Sequence, residues 1–131
     1  MTANPYGKYQ ETQVQTAPPE TLVLMLYDGA IRFAGQGKAD LLEGRRESAH
    51  RNLVRAQDIL VELQTSLDFN MGEVAFNLWR IYEYLEHRLV EANTKRSSEP
   101  IDEVIGMLSD LRQTWAQAIR HARGMTAKTG G

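Results

Sequence analysis

The sequence predicts an all-α protein: an antiparallel four-helix bundle with a flexible N-terminal arm and a short disordered C-terminal tail. Three observations carry that expectation. Four segments, each of about 20 residues, repeat apolar side chains at the alternating three-and-four spacing of one helix face. The connections between them are short, which sets sequential helices antiparallel. No segment reads convincingly as a strand. The chain divides accordingly into an arm at 1–18, a bundle at 19–123 and a tail at 124–131.

The arm holds Pro5, Pro18 and a polar run from Gln10 to Gln15, with Tyr6, Tyr9 and Val14 as its only anchors. The first helix is expected over 19–42, opened by Pro19, a residue suited to the first helical position. Val23, Tyr27, Ala30, Ala34, Gly37 and Leu41 form its core seam. Leu22, Leu26 and Phe33 widen that seam on one side, and Leu24, Ile31 and Leu42 on the other. The apolar sector then spans roughly 200°, about twice what a core-facing helix needs. Gly35, Gly37 and Gly44 weaken the last turns, so fraying is expected between 38 and 44.

The second helix is expected over 46–66, with a seam of Ala49, Leu53, Ala56, Leu60, Leu63 and Leu67. The third is expected over 71–93. Asn70 as cap, Glu73 closing a capping box, and Phe69 stapled on Val74 supply its start. Its seam is Met71, Ala75, Leu78, Tyr82, Leu85, Leu89 and Ala92. The fourth, over 99–122, carries Ile101, Val104, Leu108, Leu111, Trp115, Ala118 and Ala122, with Gly124 as a stop residue. Leu53, Leu60, Leu63, Leu78, Tyr82, Leu85, Leu108, Leu111 and Trp115 are the expected buried core.

Composition narrows the function. The 131 residues are 42% hydrophobic and 24% charged, enough apolar side chain for a core. The longest apolar run, Leu22 to Tyr27, is far short of the ~20 residues of a bilayer span, so no membrane insertion is expected. No secretory signal pattern opens the chain, and a cytoplasmic location follows as an expectation. A net charge of −2 weighs against a nucleic-acid partner. The chain has no cysteine, which removes disulfides, zinc ribbons, iron–sulfur clusters and thiol nucleophiles together.

Catalytic constellations are likewise missing from the pattern. A di-metal bundle needs two Glu-x-x-His pairs. The chain has one, Glu47 to His50, and neither residue lies on the second seam. Tyr84 and Ala118 stand where His87 and His121 would need a glutamate. Glu83 and Glu86 fall on the polar side of the third helix, and the basic group Arg45, Arg46, Arg51 and Arg55 has no interleaved aromatics. No catalytic residue, metal or cofactor is expected.

What remains is surplus apolar surface. Phe76 lies about 150° and Trp79 about 90° from the centre of the third seam, at 100° per residue. Leu24, Met25 and Ile31 pose the same problem on the first helix. Such a surplus suggests a groove for another chain. A wider core, or burial by self-association, is the competing explanation.

The order and spacing of several short stretches resemble one family. They are Asn4-Pro5-Tyr6, Tyr9-Gln10, Thr16-Ala17 before Pro19-Glu20, and the run Leu22-Val23-Leu24-Met25-Leu26-Tyr27-Asp28-Gly29. Asn52-Leu53, Ala56-Gln57, Tyr82-Glu83-Tyr84, Arg88-Leu89-Val90-Glu91-Ala92-Asn93 and Trp115 complete the set. The chain resembles the flagellin-specific export chaperones of bacterial flagella, the FliS family, from about residue 4 to 121. The resemblance implies a cytoplasmic helical bundle without cofactor. Such a bundle binds the disordered C-terminal segment of flagellin, prevents premature polymerisation and helps deliver the client to the flagellar type III export gate. Leu24, Met25, Ile31, Phe76 and Trp79 are then the candidate flagellin contacts. Tyr6, Tyr9 and Gln10 are the candidate arm contacts, either capping the groove or touching the client. Two departures stand out. Pro18 replaces the hydroxyl residue the family has before its opening proline, and Phe76 and Trp79 are larger than expected, which points to a particular client or a co-chaperone. A monomer or weak homodimer is expected. The alternative reading is a self-associating helical bundle with another client.

Overall fold

A computed structural model describes residues 19–130, with side chains described from 19 to 124. Among the described residues there are four α-helices and no strand. They are α1 Pro19–Leu42, α2 Arg46–Thr65, α3 Glu73–Lys95 and α4 Glu99–Gly130, with one short 3-10 turn, Phe69–Met71, between α2 and α3. Helix α1 packs on α2 and α4, and α3 packs on the same two, so the four form a square with α1 and α3 on the diagonal.

Cross-helix bonds run in opposite numbering directions, as antiparallel neighbours must. Lys38 meets Asp102 and Asp28 meets Arg112 between α1 and α4. Asn93 meets His50, and Gln64 reaches the Trp79 carbonyl, between α2 and α3. Glu103 of α4 accepts from Tyr84 and Arg88 of α3.

The seams read from periodicity meet at the centre. Tyr27, Ala30, Ala34, Leu53, Ala56, Leu60, Leu63, Tyr82, Leu85, Leu89, Ala92, Ile101, Val104 and Leu108 form one buried cluster. Leu78, Leu111 and Trp115, expected within it, are only half-buried against its edge. Small residues on α1 let α2 approach closely. A Cβ added at Gly37 would stand 2.6 Å from Leu53 Cδ2, inside contact distance.

The end of α1 corrects the sequence expectation. Helix α1 does not fray over 38–44 but runs to Leu42 and closes in a Schellman turn. Gly44, at φ 76°, sends its N–H to the Leu41 carbonyl at 3.2 Å, and Arg45 N–H reaches the Asp40 carbonyl at 2.8 Å. The buried Asp40 carboxylate fixes the corner. It accepts from Ser48 Oγ at 2.6 Å, Asn52 Nδ2 at 2.8 Å and Arg45 Nε at 2.9 Å. Those bonds, the Ser48 hydroxyl first, hold its pKa below the usual carboxylate range against the effect of burial.

The start of the third helix is also different. Asn70 is no cap, and the expected box with Glu73 does not form. Asp68 instead accepts the Asn70 N–H at 3.0 Å and caps the 3-10 turn. Gly72, at φ 74°, then redirects the chain into α3, which begins at Glu73 without a side-chain cap. Phe69 packs on Phe76, ring centroids 4.9 Å apart. Helix α3 ends at Arg96, a left-handed residue at φ 52° whose N–H reaches the Ala92 carbonyl. Helix α4 continues past Gly124, the expected stop, because Gly124 does not take the positive φ of a left-handed cap.

Candidate functional site

At the end of the bundle where α1 begins and α2 meets α3, the seams part and leave an open cleft of about 220 Å³. Helix α1 contributes Val23. The end of α2 and its turn contribute Leu63, Ser66, Leu67, Asp68 and Met71. Helix α3 contributes Val74, Ala75, Leu78 and Tyr82, and α4 contributes Trp115. This opening accounts for the partial exposure of Leu78 and Trp115: they belong to the seams but line the cleft wall.

The rim is unusually apolar for solvent-facing positions. Met71 is 69% exposed and Val74 61%. Phe69 and Phe76 extend the apolar surface beyond the cleft mouth, with Phe76 53% exposed. One apolar residue in water is ordinary, but a contiguous group around a concavity marks an interaction site.

A small cluster of polar groups lies beneath the cleft. Tyr27 and Tyr82 hydroxyls are 2.5 Å apart, and Trp115 Nε1–H donates to Tyr27 Oη at 3.0 Å. Burial raises the pKa of both tyrosines, Tyr27 further because the neighbouring Tyr82 adds to the effect. Both hydroxyls therefore stay neutral. Asp68 is the single carboxylate in the lining.

None of the five candidate contacts read from the sequence lines the cleft itself. Leu24, Met25 and Ile31 are half-buried on α1, and Ile31 packs against the core cluster. Phe76 and Trp79 are exposed on α3. Four of the five are nonetheless chain neighbours of lining residues: Leu24 and Met25 follow Val23, Phe76 follows Ala75, and Trp79 follows Leu78. Tyr6, Tyr9 and Gln10 lie outside the described residues. Sequence reasoning missed Met71, Val74 and Leu67 as wall residues. Met71 and Leu67 fall in the expected seams, and Val74 in the expected staple.

Among the described residues no three His, Asp or Glu side chains come together as a metal site would require. His50, of the single Glu-x-x-His pair, is bonded to Asn93 at 2.8 Å. Among the same residues no helix is long and apolar enough to cross a membrane.

Fold and cleft together define the class: an antiparallel helical bundle with an apolar cleft open at one end. Comparison with known proteins makes the assignment specific. Residues 2–122 match the family described as flagellar protein FliS. The flagellar secretion chaperone FliS of Bacillus subtilis is 37% identical over 128 residues, covering 98% of this chain and 96% of that protein. Those of Vibrio cholerae and Salmonella typhimurium are 30% and 34% identical, covering 92% and 82% of this chain and 90% and 81% of theirs. The chain belongs to the FliS family.

Proposed function

We propose that the protein is a cytoplasmic, non-enzymatic export chaperone. It seats the disordered C-terminal region of flagellin in the apolar cleft, keeps that region from polymerising, and accompanies the client to the flagellar export apparatus. The observation that carries this reading is the cleft with its exposed apolar rim. Membership of a family whose relatives are named flagellar secretion chaperones supports it.

The chemistry is coupled folding and binding. Ordering a disordered client costs about 1–2 kcal/mol per residue of backbone. Burial of apolar surface, at roughly 25 cal/mol per Å², must exceed that cost. Rim residues already in water, such as Met71 and Val74, gain most when a client covers them. A client helix laid along the cleft fits helix-in-groove recognition. Leu24, Met25, Phe76 and Trp79 extend the contact from the residues beside them, and Ile31 adds to it on α1.

The arm is proposed to cover the cleft when no client is bound. It joins α1 at Pro19, close in sequence to Val23 on the cleft wall. At about 3.3–3.6 Å per residue, Tyr6, Tyr9 and Gln10 are within reach of the cleft. Such a cap lowers apparent affinity by the fraction of molecules with the cleft open. Deleting residues 2–15 then speeds association of a flagellin C-terminal peptide. Slower dissociation in the full chain than in the deletion would instead make the tyrosines client contacts.

Light scattering with and without a flagellin C-terminal peptide tests the main reading. A complex of one chaperone with one peptide that Val74→Asp abolishes supports it. A dimer indifferent to the peptide supports self-association through the exposed Phe69 and Phe76 surface.

A further inference from the structure

The floor of the cleft holds an unspent hydrogen-bond donor. Trp115 Nε1–H, the Tyr27 hydroxyl and the Tyr82 hydroxyl supply three donor hydrogens. They make two bonds, Trp115 to Tyr27 at 3.0 Å and Tyr27 to Tyr82 at 2.5 Å. The Trp115 N–H also bears on the Tyr82 hydroxyl, and outside these three groups neither hydroxyl is bonded among the described residues. A phenol has one hydrogen to give and two lone pairs to receive, and an indole can only give. One hydroxyl hydrogen is therefore left over.

Its place follows from burial. If Tyr82 donated to Tyr27, the spare hydrogen would sit on Tyr27, which is fully buried and forms no part of the cleft wall. An unpaired donor sealed in a core costs about 1–3 kcal/mol. If Tyr27 donates to Tyr82, the three groups form a relay and the spare hydrogen sits on Tyr82. Tyr82 is 1% exposed yet lines the cleft. The second arrangement also lets each bond polarise the next.

We propose that Tyr82 donates its hydroxyl hydrogen to a neutral amide carbonyl of the client segment seated in the cleft. This deepens the chaperone reading and rests on it. Of the other polar side chains in the lining, Ser66 spends its hydroxyl hydrogen on the Leu63 carbonyl, Trp115 spends its N–H on Tyr27, and the Asp68 carboxylate can only accept, so Tyr82 is the one with a hydrogen to give. The negative charge of Asp68 in the lining disfavours a carboxylate ligand, so an Asn or Gln side chain or an exposed backbone carbonyl is the matching group. Tyr82 thus selects which apolar segment fits: one that brings an oxygen to the floor. An entirely hydrocarbon tip would leave the donor unpaired, and removal of its alternative partner water would count against binding.

Calorimetric titration of the full chain with a flagellin C-terminal peptide tests this through three variants. Tyr82→Phe removes the donor. Ile101→Val trims a fully buried core side chain that is neither in the cleft lining nor in the relay, and so controls for stability, followed by urea titration. Val74→Asp tests the seat itself. The expected result is about 10-fold weaker binding for Tyr82→Phe, binding within about two-fold of wild type for Ile101→Val, and loss for Val74→Asp. Equal losses in Tyr82→Phe and Ile101→Val, or no loss in Tyr82→Phe while Val74→Asp abolishes binding, would overturn the donor and leave the chaperone reading standing. Wild-type binding by Val74→Asp would overturn the reading as well. Peptides with each Asn and Gln replaced in turn by Leu separate the two carbonyl sources. A single replacement that loses the same factor, without adding to Tyr82→Phe, identifies a side-chain amide; the absence of one assigns the backbone.

Discussion

Two glycines on α1, two residues apart, should respond to the same substitution with opposite sign. A Cβ at Gly35 meets nothing within 4 Å, whereas one at Gly37 stands 2.6 Å from Leu53 Cδ2 and 2.9 Å from Leu53 Cγ. Both sit in a helix, where alanine is favoured over glycine by about 1 kcal/mol. Gly35→Ala should gain that amount. At Gly37 the gain is opposed by overlap with a side chain that is 0% exposed and cannot swing clear. Carbon atoms prefer about 3.5–4.0 Å, so Leu53 or the whole of α2 must move by about 1 Å. Overpacking of this kind costs about 1–3 kcal/mol. The net effect of Gly37→Ala runs from about zero to 2 kcal/mol of destabilisation, placing it about 1–3 kcal/mol below Gly35→Ala. Urea unfolding followed by helicity at 222 nm measures both. Equal stabilisation by the two substitutions would show that α1 and α2 are not in close contact at Gly37.

The remaining predictions concern the core, a helix end and acid. Leu85→Ala should cost about 2–5 kcal/mol in a denaturant titration, since Leu85 is fully buried and leaves a cavity; a loss under about 1 kcal/mol would mean the face is wrong. Arg96→Gly should stabilise by about 1 kcal/mol, because Arg96 holds a left-handed φ of 52° that glycine adopts without strain; a lower urea midpoint would contradict this. Asp40 has a depressed pKa in the folded state, so its contribution is present above the unfolded carboxylate pKa and is lost as pH falls through the folded value. The urea midpoints of wild type and Asp40→Asn should differ most at pH 7 and converge below about pH 4, whereas a gap constant with pH would remove the charge from the explanation.

Much of the bundle could be read from residue order because periodicity is local. The seam through Leu53, Ala56, Leu60 and Leu63 needs only the 3.6-residue turn, and those residues are buried where the pattern put them. The corner before α3 could not be read the same way. Asp68 and Asn70 are both competent caps, and which one takes an orphan N–H depends on the backbone at Gly72, whose positive φ glycine permits but does not demand. The cleft was hidden for a different reason. Periodicity assigns Met71, Leu78 and Trp115 to inward faces but says nothing of how far apart those faces stand. Asp40 was hidden in the same way: it falls between Gly37 and Leu41 of the first seam, and its partners Ser48 and Asn52 come from α2. Contacts between helices are invisible to sequence order. The basic group on α2 lacks aromatics in sequence, yet Arg55 Cζ lies 5.5 Å from the Phe33 ring supplied by α1.

The proposed function places a client's apolar segment in the cleft between Val23, Met71, Val74 and Trp115. Methionine methyl NMR tests it most directly, because three methionines report from three places. Met71 lines the cleft, Met25 is half-buried on another face of α1 two residues from the lining Val23, and Met107 packs half-buried on the core. Adding a flagellin C-terminal peptide to the methyl-labelled protein should shift and broaden the Met71 resonance most, move Met25 less, and leave Met107 in place. A Met71 resonance that stays fixed while the peptide binds would contradict the claim and put the client on another face of the bundle.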